Sequence, residues 1–256
     1  MSNDKKETCT VYFDLEATDI NPRTCRIIQI GAVCGSKEFN TKVKADQKIN
    51  PEASKVTGIK DQDIADAPEC KFALIDFFRW VDQVRENRHV VLCAHNGVGY
   101  DYILLFSELH RWEMPPYFTL RKHGIVKVVD SLPWARVNIP PHRLIKNMET
   151  GEASFRLGDL YESVLGCRFE CAHDALADCR ALQQFCDSQF VKEKGFNTER
   201  HDGHSCYSLK EYVAEFQKRK VAEDSDMLRT IQDKMEKKGC KRTILSYLSS
   251  GKRQKV

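Results

Sequence analysis

The sequence predicts an α/β domain built on a mixed sheet. Three strand patterns follow one another with short links near the amino terminus, which favours antiparallel pairing. Beyond them, apolar strand patterns alternate with amphipathic helices, which favours parallel pairing. The chain has 256 residues, of which 41% are hydrophobic and 30% charged, so it is long and apolar enough for one generous domain with a buried core.

The three opening strands are predicted at Val11–Thr18, 25–34 and 38–43. β-Branched and aromatic residues fill the first of them, and Cys34–Lys37 contains a glycine suited to the turn between the second and third. Strands joined by links this short pair as antiparallel neighbours, so the sheet is expected to begin with an antiparallel layer.

The central part of the chain alternates helices and strands. The predicted elements are, in order, short helical pieces within 50–68, a helix at 69–85, a strand at 88–94, a helix at 100–112, a strand at 125–129, and helices at 155–165 and 173–190. The two strands raise the expected total to five, in a mixed sheet flanked by helices.

The carboxyl-terminal part differs in composition. Residues 191–256 hold 16 Lys and Arg against 10 Asp and Glu, whereas the preceding 190 residues hold 24 against 27. Polar helical patterns occur at 208–220 and 222–238. We therefore predict a domain over 8–190 and a basic, helical extension with a flexible tail over 191–256.

An acidic body with a basic extension suits a metal-dependent enzyme that acts on a polyanion, although a merely solvated charged helix is equally consistent with the charges. No apolar run reaches the ~20 residues of a membrane span, and the first residues lack the apolar core of a secretion signal. The cysteines are odd in number, 11, and scattered, which favours reduced thiols. We expect no membrane association and an intracellular protein of the nucleus or cytoplasm.

Asp14 and Glu16 are the first candidates for a chemical site. They lie two residues apart on the first strand, so both side chains point to one face, while Phe13 and Leu15 point to the other, into the core. Adjacent anions repel each other unless a cation lies between them, and carboxylate oxygens suit Mg²⁺ or Mn²⁺. The pair therefore predicts a metal site, provided that more acids converge on it.

Two later segments supply further acids. Asp101 follows the loop at the end of a predicted strand, where sites form in open α/β sheets, and Asp178 lies on the last helix of the domain. His173 precedes Asp178 by five residues, about 140° around an ideal helix. The two share a pocket only if the histidine lies before the helix or at its start, and a histidine there could act as a base.

The order of these motifs resembles that of a known family. The pattern Asp14-x-Glu16, then Asn96-x3-Tyr100-Asp101, then His173-x4-Asp178 is similar to that of the DEDDh branch of the DnaQ-like 3′-to-5′ exonucleases. Within this branch, the motif residues most resemble those of the three-prime repair (TREX-like) group. The resemblance spans about residues 8–190. It implies an RNase H-like fold for the five-stranded mixed sheet.

The resemblance implies a two-metal hydrolysis of phosphodiester bonds. Asp14, Glu16, Asp101 and Asp178 would hold two Mg²⁺ or Mn²⁺ ions, and His173 would take the proton of the attacking water. The product would be a nucleoside 5′-monophosphate.

The resemblance also implies a substrate-binding set. The backbone of Ala17 and Thr18 would line the pocket of the terminal nucleotide, Ile20 would be an apolar wedge against the last base, and Asn96 and Tyr100 would position the scissile region. This chain departs from the family pattern at Asp19, where glycine is usual, so its substrate range is expected to be its least typical property.

These observations predict a metal-dependent 3′-to-5′ exonuclease for single-stranded or frayed DNA. Two alternatives stay open: an exoribonuclease that acts on RNA, and a nucleic-acid-binding module that keeps the fold without cutting. The resemblance to the three-prime repair group also implies a homodimer.

Overall fold

The computed structural model describes residues 7–169, 173–198 and 205–220. The chain divides into two compact units, Met1–Lys210 and Glu211–Val256. The strands of the first unit are β1 (Thr8–Ala17), β2 (Ile27–Cys34), β3 (Lys37–Lys42), β4 (His89–Ala94), β5 (Ile125–Asp130) and β6 (Cys206–Ser208). Its helices are α1 (Pro51–Thr57), α2 (Cys70–Arg85), α3 (Asp101–Arg111), α4 (Pro116–Lys122), α5 (Ser131–Asn138), α6 (Leu157–Leu165), α7 (Ala175–Asp187) and α8 (Gln189–Glu193).

The strands form one mixed sheet in the order β3-β2-β1-β4-β5-β6. β1, β2 and β3 pair antiparallel, and β4 and β5 join them in parallel register, which confirms the predicted mixed α/β sheet. The expected number of five strands is wrong, because β6 pairs antiparallel with β5 at the edge. This strand has only three residues, too few for an alternating apolar pattern to be recognised in the sequence.

Both faces of the sheet are buried around β1. Phe13 is fully buried, with its ring centroid 5.8 Å from that of Phe77 in α2 and 6.2 Å from that of Tyr102 in α3. Tyr12 points the other way, into a cluster with Trp134 and with Phe185 of α7. Because side chains alternate along a strand, Asp14 and Glu16 lie on the Tyr12 face, the face that α7 covers.

The helices follow the sequence patterns, except that α4 was not predicted. α5 follows β5 in a proline-containing stretch, where the side chain of Asp130 caps it by accepting a hydrogen bond from Leu132 N–H at 3.0 Å. Among the residues that the structure describes, none of the helices has the length and apolar character needed to cross a membrane.

The second unit is described over residues 211–220, and residues 209–220 are helical, close to the predicted run at 208–220. The predicted helix at 222–238 and the basic tail lie outside the described residues. The division into an 8–190 domain and a 191–256 extension stays a prediction.

Candidate active site

β1 carries the two acids with which the candidate site begins. Glu16 is buried, Asp14 is half-buried, and Phe13 and Leu15 between and beside them are buried on the opposite face, as predicted. Asp14 pairs in register with Gly31 of β2, and Glu16 pairs with Gln29. Pairing with β2 thus fixes the backbone of both acids, whereas the pairing of β1 with β4 ends at Tyr12.

Asp101 reaches β1 from the first residue of α3. It is buried, and its Oδ1 accepts a hydrogen bond from Leu15 N–H at 3.1 Å. Leu15 lies between Asp14 and Glu16, so this bond joins the start of α3 to the part of β1 that carries both acids. A carboxylate in the first turn of a helix also meets the positive end of the helix dipole.

Asp178 and His173 come together where α7 begins. His173 lies before the helix with φ of 69°, and its backbone N–H donates to Asp178 Oδ2 at 2.9 Å. Asp174 caps the helix by accepting a hydrogen bond from Ala177 N–H at 3.0 Å. The histidine therefore precedes the helix, which is the arrangement required if it and Asp178 are to share a pocket.

Two residues of β2 that the sequence analysis did not single out hold α7 against the sheet. A Cβ atom on Gly31 would lie 2.3 Å from the backbone carbon of Ala175, so only glycine allows this approach without displacement. The buried Gln29 donates to Asp174 Oδ2 at 2.9 Å and accepts from Ala175 N–H at 3.3 Å. A glycine inside an apolar strand is the sequence signal of such a close approach.

The elements converge on one cavity. One ligand atom each of Glu16, His173 and Asp178 lie within 4.8 Å of one another. Asp14, His173 and Asp178 line a cavity of about 450 Å³ together with His95, Arg156 and the first turn of α6. Asp14 and Asp101 are outside this three-residue group. Among the described residues, the ligand atoms of the four acids therefore do not all lie within 4.8 Å of one another.

The acids impose strong electrostatic effects on one another. Burial first, and then Asp178 and Asp101, raise the pKa of Glu16 to about 8. Burial raises the pKa of Asp101 to about 7, against the opposing effect of the Leu15 N–H, and raises that of Asp178 to about 6. Burial and the neighbouring carboxylates also raise the pKa of Asp14. All four are held in their charged form less easily than ordinary carboxylates.

This arrangement suits a divalent cation. Within the described residues, no lysine or arginine forms an ion pair with Asp14, Glu16, Asp101 or Asp178, so no described basic side chain compensates their charge. The donors are carboxylate oxygens with one imidazole, and hard oxygen donors are those that Mg²⁺ and Mn²⁺ prefer. The residues present therefore fit divalent metal ions of this type.

His173 has the properties of a neutral imidazole. Burial, and then the guanidinium of Arg156, lower its pKa below the usual value, so less of it is protonated near pH 7. Its side chain reaches the cavity that Asp14 and Asp178 line. An unprotonated imidazole in this position can accept a proton from a bound water.

The end of β1 and the segment after it contain three of the predicted substrate-binding residues. Ala17 and Thr18 are buried, whereas the side chain of Ile20 is 85% exposed. Thr18 uses both backbone groups within the protein: its N–H donates to Arg26 O at 2.9 Å and its carbonyl accepts from Asn50 N–H at 2.8 Å. The exposed apolar Ile20 is thus carried on a firmly bonded segment.

Tyr100 and Asp19 connect that segment to α3. The Tyr100 hydroxyl donates to Asp19 O at 2.7 Å, and Asp101 follows directly in the chain. The Asp19 carboxylate accepts from Ile20 N–H at 2.6 Å and from Asn50 Nδ2 at 3.2 Å. Asp19, the departure from the family pattern, is therefore bonded beside Ile20.

Asn96 lies in a neighbouring cavity and does not line the one formed by the acids. Its φ is 61°, and its N–H donates to the buried Asp130 at 2.8 Å. The adjacent His95 lines both cavities; its Nε2 donates to Phe155 O at 2.9 Å, and its Nδ1 accepts from the hydroxyl of Ser131 at 2.8 Å. Burial lowers the pKa of His95 to about 4, so this bridge is held by a neutral ring.

A mixed sheet that carries paired acids on its central strand, with a further acid and a histidine where a covering helix begins, defines the class of DnaQ-like nucleases. The family model described as RNase_T exonuclease matches residues 11–185. The chain belongs to this exonuclease family. The predicted DnaQ-like relationship is confirmed, and membership of the three-prime repair group stays a prediction.

Individual proteins agree with this assignment. The chain is 29% identical over 177 residues to the DNA polymerase III subunit epsilon of Treponema pallidum (strain Nichols), a match that covers 67% of this chain and 72% of the relative. It is 29% identical over 192 residues to the exonuclease DPD1, chloroplastic/mitochondrial, of Arabidopsis thaliana, a match that covers 68% of this chain and 54% of the relative. The structure of E. coli Exonuclease I in complex with a dT13 oligonucleotide has a TM-score of 0.60 at 21% identity, covering 73% of this chain and 42% of that one, and is similar in fold.

Proposed function

We propose that this protein is a two-metal 3′-to-5′ exonuclease that hydrolyses single-stranded or frayed DNA and releases nucleoside 5′-monophosphates. The observation that carries the proposal is the approach of Glu16, His173 and Asp178 to within 4.8 Å of one another from two distant segments of the chain. A purely structural acidic patch would have no reason to bring an imidazole with a lowered pKa into the same group.

The protein's own residues divide the work between holding ions and moving a proton. Asp14, Glu16, Asp101 and Asp178 would hold two Mg²⁺ or Mn²⁺ ions, which, when bound, activate water and neutralise charge on the phosphate and the leaving oxygen. His173 accepts the proton of the attacking water at an imidazole nitrogen. The Leu15 N–H keeps Asp101 aimed at β1, and the His173 N–H does the same for Asp178.

The proposed binding of the terminal nucleotide depends on exposure and on rigidity. Ile20 presents an apolar side chain to solvent on a segment held by Thr18, Asp19 and Tyr100, which suits contact with the face of a base. Stacking of this kind does not distinguish one base from another. We therefore expect trimming that is largely indifferent to sequence, with Ala17, Asn96 and Tyr100 in the roles that the family resemblance implies.

The experiment uses 5′-labelled DNA and RNA strands of the same sequence, incubated with the full-length protein in Mg²⁺ or Mn²⁺ and in EDTA. A stepwise ladder from the 3′ end that needs the metal supports the proposal. The variants Asp14→Asn and His173→Ala should both lose the ladder. If the ladder forms faster on RNA than on DNA, the protein is an exoribonuclease instead. Tight binding of either strand without a ladder would show that it is a nucleic-acid-binding module that does not cut.

Oligomeric state and cellular location are separate parts of the proposal. A homodimer is the state implied by the resemblance to the three-prime repair group, and light scattering of the full chain tests it. A location in the nucleus or cytoplasm is proposed as well, and imaging of the tagged full-length protein tests it.

A further inference from the structure

We propose that Arg156 is a phosphate-binding residue of the active site, which contacts a phosphate of the nucleic-acid strand. This inference rests on the proposed exonuclease function and adds a residue for which the sequence motifs gave no signal. Among the described residues that line the cavity with Asp14, His173 and Asp178, Arg156 is the only lysine or arginine.

The local fold determines the position of Arg156. It is the residue directly before α6, and Leu160 N–H donates to its carbonyl at 2.9 Å as the first bond of that helix. Its neighbour Phe155 is held through the bond from His95 Nε2 to the Phe155 carbonyl at 2.9 Å. The backbone on both sides of Arg156 is therefore bonded, which fixes where its side chain starts.

The guanidinium has acids nearby, yet it forms no ion pair with them in the part of the chain that the structure describes. The closest acid in sequence, Asp159, accepts a hydrogen bond from the Ser154 hydroxyl. Asp14 and Asp178 line the same cavity, and neither forms an ion pair with Arg156. By contrast, Arg26, Arg111 and Arg180 all have carboxylate partners within 4 Å.

An exposed guanidinium at a cavity rich in carboxylates suits an anionic ligand that arrives together with cations. Arginine presents paired N–H donors whose geometry matches phosphate oxygens. The metal ions would neutralise the acids, and Arg156 would then face a phosphodiester rather than compete for the acids. Arg156 also lines the neighbouring cavity that contains Asn96 and Arg136, so a strand could pass from one cavity to the other along it.

The test compares Arg156→Gln and Arg156→Lys with the wild-type protein and with Arg79→Gln. Arg79 is an exposed arginine of α2, paired with Asp76 at 2.9 Å, and its loss changes the net charge equally without touching the site. We expect Arg156→Gln to lower kcat/KM about 10- to 100-fold, as the loss of a charge-assisted hydrogen bond does. Arg156→Lys should recover part of that loss, and Arg79→Gln should match the wild type.

A second measurement separates phosphate contact from a structural role. Inhibition of the wild-type ladder by a nucleoside 5′-monophosphate is compared with inhibition by the same nucleoside without phosphate. Arg156→Gln should weaken inhibition by the monophosphate about tenfold or more and leave the nucleoside unaffected. Equal weakening of both inhibitors, or no change in either measurement, would overturn the inference.

The outcomes also distinguish this inference from the proposed function. If the wild-type protein makes no ladder, the exonuclease proposal itself fails. If the wild type makes a ladder and Arg156→Gln makes the same ladder at the same rate, the function stands and the role of Arg156 is wrong. Thermal unfolding of each variant, measured beside activity, identifies a loss that comes from misfolding.

Discussion

The two sides of the candidate site are built differently. On the sheet side, Glu16 and Asp101 are buried and Asp14 is half-buried, and these acids are fixed by strand pairing and by the Leu15 N–H. On the helix side, His173 is exposed and takes a left-handed backbone conformation before α7. The first set is placed by the core, and the second by the way in which one helix begins.

This difference suggests a division of labour. Residues that hold cations gain from a rigid, buried setting, because charge repulsion between them is then relieved only by the ions. A residue that transfers a proton needs access to water and substrate, which an exposed turn gives it. Substitutions of the sheet-side acids should therefore act through metal binding, and substitution of His173 should act through the proton-transfer step.

The largest expected effect is that of Asp14→Asn on the sheet side. Loss of one carboxylate removes a metal ligand, and activity should fall by about 1,000-fold or more, because each bound ion supplies several kcal/mol to the transition state. The metal-free protein should keep its unfolding temperature, since a crowded charge is removed. Gel assays and thermal unfolding check this, with the exposed Asp76→Asn as control; wild-type activity in Asp14→Asn would contradict it.

On the helix side, His173→Ala should lower kcat by about 100-fold while Mg²⁺ affinity changes little, because a proton acceptor is lost and the four carboxylates remain. Calorimetric titration with Mg²⁺ and single-turnover kinetics measure the two quantities. The pKa of His173 is lowered, so with saturating Mg²⁺ the wild-type rate should fall on acidification only below the usual imidazole pKa of ~6.5. A large loss of Mg²⁺ affinity would mean that His173 is a metal ligand instead.

Gly31→Ala should affect both sides of the site, because it should change the distance between β2 and the start of α7. The added Cβ would lie 2.3 Å from the backbone of Ala175, so α7 must shift and carry His173 and Asp178 away from β1. We expect about a tenfold loss of activity and a destabilisation of ~1–3 kcal/mol, measured by denaturant unfolding. Gly35→Ala is the control, because Gly35 has positive φ and open space, so stability should fall without loss of activity.

The pH dependence of metal binding gives a smaller effect. The raised pKa of Glu16, about 8, means that the folded protein binds this proton more tightly than the unfolded chain does. The resulting stability is complete below pH ~4.5 and is lost as the pH rises through about 8. Mg²⁺ should therefore raise the unfolding temperature by a few degrees more at pH 8 than at pH 6. An equal rise at both values would contradict the electrostatic description of the sheet side.

The smallest expected effect is that of Asp19→Gly. The Asp19 carboxylate accepts from Ile20 N–H at 2.6 Å, so its loss should loosen the exposed Ile20 and raise KM about threefold with kcat nearly unchanged. Asp19→Asn keeps an acceptor oxygen and should resemble the wild type. Steady-state kinetics on single-stranded DNA measure this, and a lower KM in Asp19→Gly would indicate that the carboxylate repels the substrate.

The sequence was sufficient to predict how the acidic residues of β1 are arranged. The two-residue spacing of Asp14 and Glu16, with apolar Phe13 and Leu15 between and beside them, was enough to predict their common face, because side chains alternate along any strand. The motif order was enough to predict the exonuclease family. It gave no signal for β6, whose three residues form a strand only because the edge of β5 is available to them.

The five-residue spacing of His173 and Asp178 did not determine whether the two share a pocket. The left-handed backbone conformation of His173, which lies before α7, brings them together. Gly31, Gln29 and Arg156 belong to the site through long-range packing: the glycine admits α7, the glutamine holds its first turn, and the arginine reaches the cavity from the start of α6. By itself the sequence determined the family and predicted which side chains carry the chemistry, because motif and alternation are local properties. Their approach to one another depends on contacts between distant segments, so only the tertiary structure decided it.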